Sequence, residues 1–214
     1  LLLSVIFGGV VIFTLAAAFA MRGEPYAFDR DILLALRHAD NLEMPAGPSW
    51  IFAAAKDVTM LGGTPFLTML TLAVTGYFIV RREGASIAIL LAAVIGESVI
   101  VNLLKGFFGR LRPDVVPHLV EATSGSFPSG HSASAAAVFL TLAALIASRT
   151  SDRGVRRYLF FVATTLALLV GASRVYLGVH YPTDVVGGLA FGSAWAALVW
   201  FAARKFGAGV KNLV

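Results

Sequence analysis

Six stretches of this 214-residue chain carry almost no charge, and each approaches the length that a helix needs to cross a lipid bilayer. At 1.5 Å of rise per residue, about 20 residues span the hydrocarbon, where no water is available to satisfy an open backbone. The runs are Leu1–Met21, Val58–Val80, Gly84–Leu104, His131–Ser148, Tyr158–Ser173 and Val185–Ala203. Glu97 and Asn102 interrupt the third, and the fourth and fifth are short enough to need a further turn from their flanks. Composition agrees: charged residues make up 14% of the chain, against roughly 25% in a soluble globular protein, too few to cover so much apolar side chain. The expected fold is all-α, a bundle of six transmembrane helices, with residues 1–214 as a single domain. The opening run has no basic start and is too long for a signal-peptide core, so it reads as a retained anchor.

Several function classes drop out early. The chain has no cysteine, which excludes a disulfide scaffold and a thiolate metal site. Its net charge of +5 is not gathered into a basic helix or an aromatic-interleaved basic patch, so nucleic acid is excluded as a partner.

Charge placement sets an expected orientation. Arg149, Arg153, Arg156 and Arg157 crowd the connection between the fourth and fifth runs, with Asp152 alone to offset them. Short arginine-rich connections seldom cross a membrane, so this end and both termini are expected in the cytoplasm. Residues 22–57 then form an outside loop, where Arg22, Arg30, Arg37 and Lys56 are balanced by Glu24, Asp29, Asp31, Asp40, Glu43 and Asp57. Within it Asp29–Arg37 reads as a short amphipathic helix shielding the bundle, with Asp29 as its cap, and Pro45, Gly47 and Pro48 end it. A cysteine at Val116 is expected to be reachable from outside, and one at Ser151 is not.

The polar chemistry sits in the two other outside loops. Lys105, Arg110 and Arg112 place three cations within one short segment after the third run. Lys105 and Arg112 are two helical turns apart and would share a face if the helix continued, although Gly109 and Pro113 oppose that. The same loop ends Pro128-Ser129-Gly130-His131-Ser132 and enters an Ala-rich helix. Ser129 or Ser132 can cap that helix, Gly130 lets backbone approach a ligand, and the free amides of a helix start attract an anion. The third string, Ser173-Arg174-Val-Tyr176-Leu-Gly178-Val-His180-Tyr181-Pro182-Thr183-Asp184, links the last two runs. His180 and Asp184 are four apart, close enough for the carboxylate to fix one imidazole tautomer and leave the other nitrogen's lone pair free. Cations for equatorial oxygens, one histidine with a carboxylate behind it and a second histidine without one are the equipment for in-line phosphoryl transfer.

Lys105-x6-Arg112-Pro113, Pro128-Ser129-Gly130-His131 and Ser173-Arg174-x5-His180-x3-Asp184 resemble the three signature motifs of the type 2 phosphatidic acid phosphatase family, in residue type, spacing and order. They occupy residues 105–184, and the six-run layout is similar to the membrane branch of that family. The same signature occurs in soluble vanadium haloperoxidases and bacterial acid phosphatases, which this composition opposes. The resemblance implies His180 as a nucleophile forming a phosphohistidine, Asp184 as its orienting partner, and His131 as the acid for the leaving group and then the base for water. Lys105, Arg112, Ser129, Gly130 and Arg174 would hold the phosphoryl oxygens. No metal or other cofactor is implied. Arg110 falls between family positions, either a headgroup contact or without a role. Glu97 and Asn102 are expected to face the bundle, toward the floor of the site. The expected substrate is a membrane lipid phosphate or diphosphate at the outer leaflet of a bacterial inner membrane: phosphatidylglycerol phosphate, phosphatidic acid or undecaprenyl diphosphate. The alternative is a transporter or channel with an anion site, which has no use for an oriented His–Asp pair and would be expected to show Gly/Pro-broken spans in matching halves.

Overall fold

The computed structural model describes residues 2–22 and 26–206; Glu24, which entered the charge argument, lies outside them. Its order is α1 (Leu2–Ala20), α2 (Ala27–Ala35), β1 (Arg37–His38), β2 (Asn41–Pro45), α3 (Ser49–Met60), α4 (Thr64–Val80), α5 (Gly84–Phe108), α6 (Gly130–Ala147), α7 (Arg153–Tyr176) and α8 (Pro182–Phe206). Helices α1, α5, α6, α7 and α8 are each long and apolar enough to cross a membrane, and α3 with α4, bent by 48° between them, is long and apolar enough only as a pair. The protein is an all-α polytopic membrane bundle; the fifth run lengthens to the 24 residues of α7, whereas α6 keeps the 18 residues of the fourth, shifted by one.

Two local differences from the sequence reading have physical causes. The second span begins at Ser49, well before Val58, because Lys56 and Asp57 sit inside α3 instead of marking its boundary. The bend falls at Gly62-Gly63, where there is no side chain to fill the gap. A Cβ built on Gly62 would lie 2.4 Å from Val170 Cγ1 and 3.0 Å from the His131 carbonyl oxygen, so this glycine lets the turn press against α6 and α7.

The outside segment folds as α2 followed by an antiparallel hairpin in which Arg37 faces Pro45 and His38 faces Asn41. Tyr26, not Asp29, occupies the N-cap of α2, and Asp29 lies in the first turn, completely buried. The strands are too short for alternation to have shown them. Leu33 of α2 packs with Val116, Val175, Tyr181 and Val185, which closes this segment over the α7–α8 link. Val116 is 3% exposed and is therefore a poor labelling position; Asp40, at the hairpin turn, is exposed.

Helix α6 is the centre of the bundle, packed against α5, α7 and α8, and mostly enclosed. Its Ala-rich face allows close approach by the glycines of α8: a Cβ on Gly192 would stand 2.2 Å from the Ala133 carbonyl oxygen, and one on Gly188 2.5 Å from that of Ser129. Backbone cannot move aside as a flexible side chain can, so these two positions set the α6–α8 spacing. Gly76 in α4 has nothing within 4 Å of its Cβ position. Gly192→Ala should lower the melting temperature, with overpacking costing about 1–3 kcal/mol. Gly76→Ala, the same chemical change, should be neutral or raise it by up to ~1 kcal/mol from helix propensity. Thermal unfolding of the two variants in one detergent checks the pair; equal shifts would remove the close-packing account.

Candidate active site

Three segments converge on a cavity of about 270 Å³ at one end of the bundle. Helix α5 delivers Lys105 in its last turn and stops at Gly109, whose φ of +56° puts it in the left-handed region that glycine enters freely. The chain then runs through an irregular loop to residue 129, so Lys105 and Arg112 do not share a helical face. Arg112 reaches the cavity from that loop, its Nη1 donating to the Val179 carbonyl at 2.7 Å and its Nε to the Ser124 carbonyl at 2.8 Å. Lys105 Nζ donates to the Gly125 carbonyl and lies 3.4 Å from Ser124 Oγ, so both cations are braced by one short stretch of loop.

Helix α6 brings the second group. Ser129 is its N-cap, fully buried; its amide donates to the Asp184 carbonyl at 3.0 Å and its hydroxyl accepts from Ser132 Oγ at 2.9 Å. Both serines proposed as caps thus face each other at the helix start, and neither hydroxyl bonds a helix amide. Gly130 and His131 line the cavity, with His131 set against the Gly62-Gly63 bend.

The third group lies on the link from α7 to α8. Arg174 is 4% exposed and its Nη1 donates to Thr59 Oγ1 of α3 at 2.9 Å. Gly178, at φ +76°, lets the chain turn under Arg37; a Cβ there would stand 2.6 Å from Arg37 Nη2. Arg37 itself donates to the Tyr176 carbonyl at 2.9 Å, tying the hairpin to the same link. His180 follows, 1% exposed. Its Nε2 lies 3.3 Å from Arg112 Nη1, and its Nδ1 lies 3.5 Å from Asp184 Oδ2 and 3.4 Å from Ser126 Oγ. Ser126 Oγ donates to Asp184 Oδ2 at 2.5 Å, so the histidine–carboxylate contact is supported by a hydroxyl beside it. Burial, more than the neighbouring Arg112 and Arg174, pushes the imidazole down to about 4 against the pull of Asp184. At neutral pH His180 is therefore uncharged, with one ring nitrogen on the side of the cavity cations and the other toward the carboxylate.

Five residues of the site have no counterpart in the sequence reading of the motifs. Arg110, read from the sequence as a headgroup contact or without a role, is a buried ion-pair centre instead: its side chain is 8% exposed, and Nη1 pairs with Asp184 Oδ1 at 2.6 Å while Nη2 pairs with Asp29 Oδ2 at 3.2 Å. Its guanidinium lies 4.5 Å over the Tyr181 ring. Thr183 donates to Asp29 through its amide at 3.1 Å and its hydroxyl at 2.7 Å. Thr59 and Ser126 are the others, with Asp29 itself. An arginine two residues before Arg112 was a visible signal, but nothing local marked its partners. Glu97 is buried and lines the cavity as expected, whereas Asn102 borders the cavity but is exposed and does not face the bundle interior. Glu97 has a partner in Ser134 Oγ, which donates to it at 2.9 Å, whereas Asn102 donates to Ser98 of its own helix at 2.8 Å. Among the described residues no group of three or more His, Asp or Glu side chains is placed to hold a metal ion.

The profile of the PAP2 superfamily matches residues 86–207, more than half of the chain and all three clusters. The chain belongs to the PAP2 superfamily. Phosphatidylglycerophosphatase B of Bacillus subtilis is 36% identical over 166 residues, covering 76% of this chain and 78% of its own. The crystal structure of a transmembrane PAP2 type phosphatidylglycerolphosphate phosphatase from Bacillus subtilis superimposes with a TM-score of 0.83 at 29% identity, covering 96% of this chain and 98% of that one. LpxE of Aquifex aeolicus has the same fold at a TM-score of 0.61 and 25% identity, over 82% of this chain and 96% of its own. The protein is a PAP2 membrane phosphatase.

In this PAP2 chain Arg110 neutralises two enclosed carboxylates, and removing one partner of a buried ion pair leaves uncompensated charge. Arg110→Gln should destabilise the fold by about 3–5 kcal/mol, and adding Asp29→Asn should restore part of that loss. Thermal unfolding of the single and double variants reads this directly. A double variant no more stable than the single would mean that Asp29 is not the charge Arg110 balances.

Proposed function

We propose that this PAP2 phosphatase hydrolyses the terminal phosphomonoester of phosphatidylglycerol phosphate, through a phosphohistidine on His180. The observation that carries the reading is the arrangement around one cavity: a neutral histidine backed by Asp184 and Ser126, a second histidine, and Lys105, Arg112 and Arg174. A phosphate dianion between three cations loses its repulsion toward a nucleophile, and the burial of Arg174 and His180 strengthens that attraction. His180 Nε2 attacks phosphorus in line, the bond to the lipid oxygen breaks, and His131 gives that oxygen its proton. His131 then takes a proton from water, whose oxygen displaces His180 and releases inorganic phosphate. Asp184 holds the imidazole proton on Nδ1 throughout and stabilises the charge that develops on the ring. Ser129 and the Gly130 amide, at the start of α6, complete the cradle for the phosphoryl oxygens. The mechanism passes no step through a metal.

The lipid substrate is supported by the position of the cavity at the ends of apolar spans, where a headgroup reaches water while its chains stay in hydrocarbon. The choice among lipids is supported by the relative and the solved structure from Bacillus subtilis, which match 76% and 96% of the chain. Phosphate release should therefore be fastest from phosphatidylglycerol phosphate in a panel that includes phosphatidic acid, undecaprenyl diphosphate and lipid A. Faster turnover of undecaprenyl diphosphate would reassign the substrate and leave the chemistry standing. Labelled phosphate should be trapped on the wild-type protein and absent from His180→Ala. Asp184→Asn should lose roughly 10²–10⁴ in rate, by analogy with other oriented histidines. Exhaustive EDTA should leave the rate within about two-fold; a loss restored by Mg²⁺ or Zn²⁺ would recast the histidines as ligands.

We place the cavity on the outer side of the membrane, since the Arg149–Arg157 connection lies at the other end of α6. In intact cells a cysteine at Asp40 should react with a membrane-impermeant maleimide and one at Ser151 should not. The reverse pattern would turn the site toward the cytoplasm.

A further inference from the structure

We propose that the bundle end opposite the phosphatase site binds an anionic phospholipid in a groove between α1, α6, α7 and α8. The groove encloses about 890 Å³, with apolar walls from Leu3, Leu140, Phe160 and Trp200 and with Arg156 and Arg204 at its rim. A second hollow of about 700 Å³ shares Arg156, Phe160, Trp200 and Arg204 with it, and extends past Thr150, Ser151 and Arg153. The two therefore lie side by side against the same residues, a polar, cationic hollow next to an apolar trench. That is the shape of an amphiphile with a negative head.

The charge in the hollow is not balanced by the protein around it. Arg149 is paired with Glu83. Asp152, the one acid of the connection, accepts from the Gly154 and Val155 amides at 2.7 and 3.2 Å as the cap of α7. Among the described residues no carboxylate stands within ion-pair distance of Arg153, Arg156 or Arg204. Basic pockets between spans draw anionic headgroups, and the apolar trench beside this one favours a lipid over free phosphate. This is not the substrate cavity: that one meets α6 at Gly130, His131 and Ser134, the groove meets it at Leu140 and Ala144, and the two share no lining residue. A lipid held here would fill the space beside α1, which packs chiefly on α8.

The test uses the full chain in detergent and a phosphatidylglycerol probe with a photoreactive diazirine in one acyl chain, the adducts being mapped by peptide mass spectrometry. Label is expected on peptides carrying Leu3, Phe160 or Trp200, separate from any at the phosphatase cavity. Unlabelled phosphatidylglycerol should compete, and phosphatidylcholine and inorganic phosphate should not. Arg156→Gln with Arg204→Gln should reduce this labelling about ten-fold, with unchanged helical circular dichroism and gel-filtration profile showing that the variant is folded. Equal labelling by a phosphatidylcholine probe, competition by inorganic phosphate, labelling indifferent to the double substitution, or no label on these peptides would each overturn the proposal.

Discussion

Asp184 is completely enclosed, and its carboxylate accepts hydrogen bonds from Ser126 Oγ, the Tyr181 amide and Arg110 Nη1. A carboxylate shut away from water is tolerated only when its oxygens are satisfied, so each donor is an obligation on a different part of the chain. Ser126 and Arg110 come from the long loop after α5, and Tyr181 from the link into α8. Arg110, itself buried, then requires a second acid, which is Asp29 of α2. One enclosed charge thus fixes the loop, the outside helix and the start of α8 relative to one another, and His180 takes its place within that frame.

Close helix packing supplies the other half of the geometry. Gly188 and Gly192 let α8 approach the backbone of α6 until the Ser129 amide donates to the Asp184 carbonyl. That contact joins the N-cap of α6 to the first turn of α8, and His131 and His180 meet at the same cavity. A wider seam would separate the two imidazoles, whatever their order in the sequence.

The spans and three clusters were legible because they are local. Charge-free runs are visible in one dimension, and histidines, cations and a helix-opening Ser-Gly pair announce themselves within a dozen residues. The bracing network was not legible, because its members are remote: Asp29 and Thr183 are 154 positions apart, and Thr59 and Arg174 are 115. Asp29 looked like a helix cap since an acid ahead of an apolar run ordinarily is one, and only its burial beside Arg110 shows otherwise. Boundaries drawn at charges failed where the helix simply carried them, as at Lys56 and Asp57. The bend at Gly62-Gly63 escaped notice because paired glycines inside an apolar run also suit straight, close-packed helices.

The sequence order of the cavity residues has a consequence for biosynthesis. Arg174 lies in the last turn of α7, His180 on the link and Asp184 in the first turn of α8, while Lys105, Arg112 and His131 come from earlier in the chain. A chain threaded into the bilayer from its N-terminus therefore carries an open, unfinished pocket through most of its synthesis. Only when the final helical hairpin docks do the cations meet the paired histidine and carboxylate, so a stalled or shortened chain sits in the membrane without the means to attack the lipids around it.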